Sequence, residues 1–278
     1  MSSIAVLGSV NLDIVAKVAR LPQAGETVTG AELSRFPGGK GGNQALAARR
    51  LGADVSLVAC VGNDAAADEA LALLREAGVD LSRCRAVDDV ATGTALIAVA
   101  KCGENHIVVA PGANRMLASD DVSGIAADAL ICQLEVPAAL VAEAADSFEG
   151  FLCVNLAPAC EIDVRVLQRA DLVVVNETES NWYGVSLRAC HGIVATTRGS
   201  GIATLERDGE VIARATPPEV DVVDTTGAGD TFTAALVVAM VEGQDLDAAL
   251  EFACAAGAMA TTRMGAQPSL PFRDSLQG

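Results

Sequence analysis

An aspartate ends a glycine-rich segment, Gly227-Ala228-Gly229-Asp230, which follows Asp224-Thr225-Thr226 and precedes an apolar stretch. Glycines at the start of a helix leave backbone N–H groups open, and the helix dipole favours an anion there. A carboxylate beside an anion site can take a proton from a hydroxyl that attacks a phosphoryl group. The segment therefore predicts phosphoryl-transfer chemistry at Asp230. The alternative is that Asp230 is only an N-terminal helix carboxylate after a glycine turn.

A second glycine-rich segment, Gly38-Gly39-Lys40-Gly41-Gly42-Asn43, opens a predicted helix over residues 44–51. It lacks the spacing of a dinucleotide fingerprint, and the chain has no G-x-x-x-x-G-K-[ST] sequence for a Walker phosphate loop. It predicts a loop whose backbone approaches a small polar ligand, with Lys40 and Asn43 as donors. The alternative is a tight turn with a solvated lysine.

Polar side chains follow three of the predicted strands. The segments are Asn11-Leu12-Asp13, Gln133-Leu134-Glu135 and Asn176-Glu177-Thr178-Glu179. Open α/β sheets bind ligands at the carboxyl ends of their strands, where carboxylates can accept sugar hydroxyls. The third segment has the oxygen ligands that suit a hydrated Mg²⁺ on nucleotide phosphates. The alternatives are loop caps for the first two segments and an acidic N-cap box for the third.

The elements that must position these residues alternate between strands and helices. The predicted strands are short apolar runs at 4–8, 55–60, 130–134, 152–156, 172–175 and 193–197. The predicted helices cover 65–77, with Asp64 as N-cap and Gly78 after the end, then 230–242 before Gly243, and 246–262. This alternation predicts an α/β fold with a mostly parallel sheet covered on both faces.

Residues 13–36 and 92–110 interrupt the alternation with hairpin-like patterns, with turns predicted at 22–25 and 101–105. Two such excursions can pair into a small sheet that acts as a lid over a binding cleft. The alternative is an extension of the main sheet.

Composition limits the possible partners of this chain of 278 residues. Its 19 Lys and Arg against 36 Asp and Glu give a net charge of −17, and only 3% of its residues are aromatic. Both values argue against nucleic acid as a partner. We expect no membrane segment, because no apolar run approaches about 18 residues. We expect no signal peptide, because the opening residues carry no basic segment ahead of a long apolar stretch. Eight scattered cysteines without a C-x-x-C pair, and two histidines, predict reduced thiols in the cytoplasm rather than a zinc site.

Taken together and in order, these segments resemble the ribokinase (PfkB-type) carbohydrate kinase family. Further segments that carry the resemblance are Gly8-Ser9-Val10, Gly25-Glu26-Thr27-Val28, Gly103-Glu104-Asn105, Gly112-Ala113-Asn114 and Gly265-Ala266-Gln267-Pro268-Ser269. The resemblance implies one kinase domain over 1–278, with a three-layer α/β/α core and a small β lid. It also implies ATP-dependent phosphorylation of a sugar's primary hydroxyl with Mg²⁺, activation by K⁺, and a homodimer formed through the lid.

The resemblance also implies roles for individual residues, taken position by position. The sugar-binding positions are Asn11, Asp13, Gly38, Gly39, Lys40, Asn43, Glu135 and Asp230. The catalytic group is Asp230 as base with an anion hole of Gly227, Ala228 and Gly229. The nucleotide positions are Asn176, Thr197, Gly199, Gly229 and Cys254, and Glu179 would hold Mg²⁺ through water. The monovalent-cation positions are Asp224, Thr226, Ala260, Arg263, Gly265 and Ser269. An alternative without a cation has Asp224 cap a turn and pair with Arg263.

Two segments depart from the family pattern. The nucleotide loop Thr197-Arg198-Gly199-Ser200-Gly201 is one residue tighter than the usual Gly-x-x-Gly, and the stretch after Glu179 is short. The resemblance implies D-ribose as the acceptor, with another small sugar or a nucleoside as the alternative. Few aromatics argue against a nucleoside, although Phe36 keeps it open. A non-catalytic sugar-binding protein is a further alternative, opposed by the retained Asp230.

Overall fold

The computed structural model describes residues 2–101 and 104–276. Cys102 and Gly103, part of the turn predicted at 101–105, lie outside the described residues. The strands are β1 (Ser3–Leu7), β2 (Asn11–Val18), β3 (Glu32–Gly38), β4 (Asp54–Gly62), β5 (Cys84–Val87), β6 (Gly93–Ala100), β7 (Asn105–Ala110), β8 (Ala129–Gln133), β9 (Phe151–Asn155), β10 (Leu172–Asn176), β11 (Ile193–Arg198), β12 (Gly201–Arg207) and β13 (Glu210–Ala215). The helices are α1 (Lys40–Arg50), α2 (Ala65–Ala70), α3 (Ala72–Ala77), α4 (Ser119–Val122), α5 (Ala138–Ser147), α6 (Val164–Arg169), α7 (Glu177–Tyr183), α8 (Ala228–Val241), α9 (Leu246–Met259) and α10 (Ala266–Ser269).

The main sheet has nine strands in the order β13-β12-β11-β10-β9-β8-β1-β4-β5. All neighbouring pairs from β11 to β5 are parallel, and only the edge pairs β11–β12 and β12–β13 are antiparallel. The predicted mostly parallel sheet is therefore confirmed. The antiparallel edge was not predicted, because β12 and β13 are half-exposed strands whose mixed polarity gives a weak signal.

Both faces of the main sheet are buried. Within β1, Ile4 and Val6 belong to the core cluster under α1, α8 and α9, whereas Ala5 and Leu7 belong to the cluster under α5 and α6. Because successive strand residues point to opposite faces, a strand covered on both sides must be apolar throughout. This explains the short continuous apolar runs in the sequence.

A separate four-stranded sheet has the order β3-β2-β6-β7, with β2 and β6 parallel. The predicted second, smaller sheet is thus confirmed, and the alternative of an extended main sheet is wrong. Its two central strands, β2 and β6, begin at Asn11 and Gly93, so the polar Asn11 already belongs to β2. The chain passes directly from β1 into β2, which brings the small sheet to the carboxyl edge of the main one.

Helix boundaries differ from the sequence predictions where glycines set the geometry. Helix α1 begins at Lys40 rather than residue 44, and α8 begins at Ala228 rather than residue 230. Their N-caps, Gly39 and Gly227, have φ values of 84° and 83°, a left-handed conformation that suits glycine.

Two further helix predictions are corrected in part. The predicted helix over 65–77 is divided into α2 and α3 at Leu71, although Asp64 caps it and Gly78 ends it as expected. Helix α9 stops at Met259, and a 3₁₀ turn continues over Ala260–Thr262. Among the described residues, no helix is both long and apolar enough to cross a membrane.

Candidate active site

Asp230 lies in the first turn of α8 and is 6% exposed. Its Oδ2 accepts a hydrogen bond from Nδ2 of Asn43 at 2.8 Å, and its Oδ1 accepts one from Nε2 of Gln44 at 3.2 Å. Burial raises the pKa of the Asp230 carboxyl, while Lys40 and the two amide donors act in the opposite direction. The result is a buried carboxylate with lone pairs left for a further donor.

A cavity of about 220 Å³ adjoins Asp230. It is lined by Lys40, Asn155, Ala157, Val174, Val175, Asn176, Glu179, Thr197, Thr225, Gly227, Gly229 and Asp230. Burial lowers the pKa of the Lys40 ammonium, but the carboxylates of Asp230, Glu135 and Glu179 outweigh burial and hold that pKa above its usual range. The Lys40 ammonium thus lies among three carboxylates, which suits a ligand that carries both hydroxyl donors and anionic groups.

The start of α8 offers backbone donors to this cavity. Gly227, Ala228 and Gly229 were predicted to form the anion hole, but the Ala228 N–H already donates to the Thr225 carbonyl at 3.3 Å. Within the described residues, the N–H groups of Gly229 and Asp230 have no backbone acceptor. These two groups, at the positive end of a 14-residue helix, are the donors available to an anion.

The loop before α1 is packed against the connection between β1 and β2. A Cβ at Gly39 would lie 2.7 Å from the Asn11 nitrogen, and one at Gly41 would lie 2.6 Å from the Gly8 carbonyl carbon. Oε2 of Glu135 accepts hydrogen bonds from the Lys40 N–H, at 3.1 Å, and from the Ser9 hydroxyl. Glycines are required here for close approach of two backbones, and Glu135 fixes the loop from the opposite side.

Asp13 is 7% exposed, and no hydrogen-bond donor within residues 2–101 and 104–276 reaches its carboxylate. Burial, together with Glu135, Asp230 and Asp224, raises the pKa of Asp13 to about 7. A buried carboxylate with unused acceptor capacity is a poor structural element and a good acceptor for ligand hydroxyls.

The neighbouring Asn11 is held by Asn114. Its Oδ1 accepts a hydrogen bond from Nδ2 of Asn114 at 2.8 Å, while Oδ1 of Asn114 accepts one from the Val10 N–H at 2.9 Å. The side-chain amide of Asn11 is thereby oriented with its own N–H groups left for another acceptor.

Asn176 and Glu179 form a reciprocal capping box at the start of α7. The Asn176 side chain accepts from the Glu179 N–H at 2.9 Å, and the Glu179 carboxylate accepts from the Asn176 N–H at 2.8 Å. The N-cap alternative therefore describes the local geometry, yet both residues also line the small cavity. Burial raises the pKa of Glu179, and it keeps one carboxylate oxygen without a protein donor among the described residues.

A larger cavity of about 740 Å³ adjoins the small one. Of the predicted nucleotide positions, Thr197, Gly199, Gly229 and Cys254 line this larger cavity, whereas Asn176 lines only the small one. Thr197, Thr225 and Gly229 line both cavities. The tight loop at Gly199 and Ser200 is a two-residue turn between β11 and β12, with Gly199 at φ 59°.

The predicted monovalent-cation positions lie in two segments joined by Asp224. Its Oδ1 accepts from the Thr226 N–H and hydroxyl, at 3.0 and 2.7 Å, and its Oδ2 accepts from the Gly265 N–H at 2.9 Å. Ala260 and Ser269, each within five residues of Gly265 in the sequence, are both buried. The Ser269 hydroxyl donates to the Ala266 carbonyl. Asp224 does cap a turn, but the alternative in which it pairs with Arg263 is wrong, because Arg263 is exposed and forms no ion pair with Asp224.

Sequence reasoning missed several residues that support the site. Ser9 holds Glu135, Asn114 holds Asn11, and Gln44 holds Asp230. Asn114 lies in a segment that carries the family resemblance, and Gln44 lies at the start of a predicted helix, but neither position has a role in the sequence pattern. Their side chains act through partners far away in sequence, so no local spacing reveals them.

Comparison with known proteins supports the family resemblance along nearly the whole chain. A family model described as pfkB family carbohydrate kinase matches residues 1–273. Ribokinase of Haemophilus influenzae is 36% identical over 293 residues, covering 98% of this chain and 96% of the relative. Ribokinase of Bacillus subtilis is 35% identical over 297 residues, covering 100% and 99%.

Solved structures agree with the sequence matches. The crystal structure of ribokinase from Thermotoga maritima has a TM-score of 0.91 at 33% identity, covering 100% of this chain and 98% of the other. Arabidopsis thaliana ribokinase complexed with ribose and ATP has a TM-score of 0.88 at 32% identity, covering 99% and 97%. The chain therefore belongs to the pfkB family of carbohydrate kinases and is an ATP:sugar phosphotransferase.

Proposed function

We propose that this protein transfers the γ-phosphoryl group of ATP to the 5-hydroxyl of D-ribose, with Asp230 as the general base. One observation carries the proposal: the buried carboxylate of Asp230 lines a small polar cavity that adjoins a larger one. Relatives named ribokinase, and the Arabidopsis structure that contains ribose and ATP, support ribose as the acceptor.

In this proposal the acceptor hydroxyl lies against Asp230. Burial raises the pKa of the Asp230 carboxyl, which makes it a stronger proton acceptor, and the amides of Asn43 and Gln44 keep it oriented. The free N–H groups of Gly229 and Asp230 would stabilise charge on the transferring phosphoryl group. Lys40 lines the same small cavity as Asp230 and adds a positive charge there.

The sugar would be held by groups from both sheets. Asp13 and Glu135 supply acceptors for hydroxyls, Asn11 and Asn43 supply side-chain amides, and Gly38 and Gly39 allow the backbone to approach. Because β2 and β3 carry several of these groups, the small sheet would act as the lid of this site.

Phe36 is the aromatic residue that supports the alternative of a nucleoside acceptor, because a nucleoside base needs a stacking partner. Its ring packs against Gly265, where an added Cβ would lie 2.5 Å from Cδ1. That packing gives the ring a structural partner already, which favours a sugar without a base.

The nucleotide would lie in the larger cavity, where Thr197, Gly199 and Cys254 line the wall. Asn176 and Glu179 fit a hydrated Mg²⁺, because both offer oxygen atoms and one oxygen of Glu179 remains without a protein donor in the described part of the chain. When bound, Mg²⁺ neutralises charge on the phosphates.

We also propose an activating K⁺ at the two segments joined by Asp224. Carbonyl groups around Ala260, Gly265 and Ser269, with one carboxylate, are the donors that suit a large monovalent ion. Such an ion would stabilise the conformation of the residues just before the anion site.

A homodimer through the small sheet is supported by its outer face. Leu33, Leu96 and Val108 share the face opposite Asp13 and are 67%, 50% and 64% exposed. Three apolar side chains on one open sheet face favour burial against a second copy. The cytoplasm as the compartment is supported by the free thiols of the seven described cysteines.

A coupled assay of ADP release across ribose, other small sugars and nucleosides tests the proposal. We expect ribose to give the highest kcat/KM. Asp230→Asn should lower kcat by roughly 10²–10⁴-fold and leave ribose binding intact by calorimetry. A variant that retains more than about a tenth of the rate would refute the role of Asp230, and a preference for a nucleoside would refute ribose.

A further inference from the structure

Gln44 is fully buried on the face of α1 that also carries Lys40 and Asn43. Its Nε2 donates to Oδ1 of Asp230 at 3.2 Å and to Oδ1 of Asn155 at 3.4 Å. Its Oε1 is buried without a hydrogen-bond partner in the described part of the chain. The amide is therefore directed at the carboxylate, and it does not line either cavity.

Asn155 connects this amide to the main sheet. It ends β9, and its Nδ2 donates to the Val174 carbonyl of β10 at 3.2 Å. The amide hydrogens of Gln44 thus bond to two acceptors, one on the sheet and one on Asp230. Parallel central strands are the most rigid part of such a fold. Gln44 therefore fixes the orientation of Asp230 relative to the main sheet.

The two amides that hold Asp230 differ in what else they can contact. Asn43 lies at a position that would contact the sugar, so its amide has a competing partner once substrate binds. Gln44 is closed off from the cavities and has no such competitor. A charge-assisted hydrogen bond to one oxygen stabilises the ionised carboxylate and limits its rotation.

We propose that Gln44 is a positioning residue for phosphoryl transfer: from the main sheet, through Asn155, it orients the Asp230 carboxylate and stabilises its ionised form. The proposal rests on the proposed role of Asp230 as the base.

The charged groups that face Asp230 come from four elements: Lys40 of α1, Glu135 after β8, Glu179 of α7 and Asp13 of β2. Burial and the neighbouring carboxylates raise the pKa of Asp13 to about 7, so its titration would overlap that of Asp230 in a kcat/KM profile. Single-turnover rates at saturating ribose and ATP avoid this, because they report groups in the ternary complex.

The test is the pH dependence of that single-turnover rate in Gln44→Met and Gln44→Glu. Gln44→Met keeps the length of the side chain and removes the donor, so we expect the acidic limb to move up by about one pH unit and the plateau rate to fall. Gln44→Glu places a second carboxyl beside Asp230, so its limb should move further. Ribose and ATP dissociation constants should stay within about threefold of the wild type.

Gln133→Met is the matched control. Gln133 is equally buried, and its Nε2 donates to the Leu7 carbonyl at 3.1 Å rather than to Asp230. This variant should lower the melting temperature without moving the acidic limb. A merely structural role for Gln44 predicts the same behaviour as this control.

Three results overturn the proposal: wild-type acidic limbs in both Gln44 variants, a limb shift in Gln133→Met equal to theirs, or loss of ATP binding in both Gln44 variants, which would make Gln44 a determinant of folding. Asp230→Asn separates this failure from failure of the proposed function. If that variant remains active, the base is misassigned. If it is inactive while the Gln44 variants behave as wild type, only the positioning role fails.

Discussion

The carboxylate of Asp13 packs directly onto the backbone of Gly38: a Cβ at that glycine would lie 2.2 Å from Oδ2. The two residues lie on adjacent antiparallel strands, β2 and β3, and both are buried. The position of this proposed sugar-binding carboxylate therefore depends on the absence of a side chain at Gly38.

Gly38→Ala should displace the Asp13 carboxylate and leave the fold intact, because the flexible end of a side chain can move aside. We expect the KM for sugar to rise roughly 10- to 100-fold, the usual cost of a lost charged hydrogen bond, with the KM for ATP unchanged. In an Asp13→Ala background the same glycine change should add almost nothing. An undiminished effect in that background would contradict the relationship.

Asp13→Asn should stabilise the unliganded protein at high pH only. The pKa of Asp13 rises from 3.8 in the unfolded chain to about 7 in the folded one, so the folded state retains a proton that the unfolded state releases between these values. Stability therefore falls as pH rises from about 4 to about 7, by at most about 4 kcal/mol. Thermal melting should show Asp13→Asn several degrees above the wild type at pH 8 and equal to it at pH 4. Equal melting temperatures at both pH values would refute the raised pKa.

Glu135→Ala should raise the sugar KM roughly 10- to 100-fold and change the ATP KM by less than about twofold. Its carboxylate would accept sugar hydroxyls, and it already fixes the loop at Lys40. Steady-state kinetics with each substrate varied in turn measure both constants. Glu143→Ala, an exposed glutamate on α5, serves as the control and should change neither. Equal effects on both substrates would place Glu135 elsewhere.

Potassium should activate the enzyme more than sodium or lithium. Initial rates are measured in a cation-depleted Tris buffer, with KCl, NaCl and LiCl titrated at constant ionic strength. Asp224→Ala should abolish the response, because its carboxylate joins the segments at Thr226 and Gly265. Rates that do not depend on the cation's identity, or an Asp224→Ala enzyme that responds like the wild type, would exclude a K⁺ site.

The protein should be a dimer at micromolar concentration, by size-exclusion chromatography with light scattering. Val108→Lys places a charge on the outer face of the small sheet and should give a monomer. Val185→Lys, at another exposed valine that lies outside that sheet, should leave the dimer intact. A wild-type monomer would contradict the proposed interface.

Most of the main sheet could be predicted from the sequence, because strands buried on both faces must be apolar throughout. Residues 172–175 and 193–197 were predicted to within one residue of β10 and β11. The antiparallel edge at β12 and β13 was missed because these half-exposed strands mix polar and apolar residues and give only a weak pattern. The predicted starts of α1 and α8 lie too late in the sequence. Each helix begins directly after a glycine N-cap with positive φ, so the glycines that follow the cap already belong to the helix.

The candidate site could be predicted where a residue with suitable chemistry stands at the end of a predicted strand or the start of a predicted helix. Asp230, Lys40 and Glu179 lie at the ends of elements, and the structure brings them to one cavity. The residues that orient them were not predictable, because Gln44 meets Asp230 only through packing of α1 against α8. Long-range partners of this kind leave no periodic pattern in the chain.

Thr197, Thr225 and Gly229 line both cavities, so the proposed nucleotide and sugar sites are adjacent, which matters for inhibitor design. A single molecule that joins a nucleoside to a sugar through a short polyphosphate tether would occupy both cavities at once. It would lose rotational and translational freedom once instead of twice, so its affinity would exceed that of either half alone. The tether length that gives the highest affinity would then report the distance between the bound nucleotide and the bound sugar.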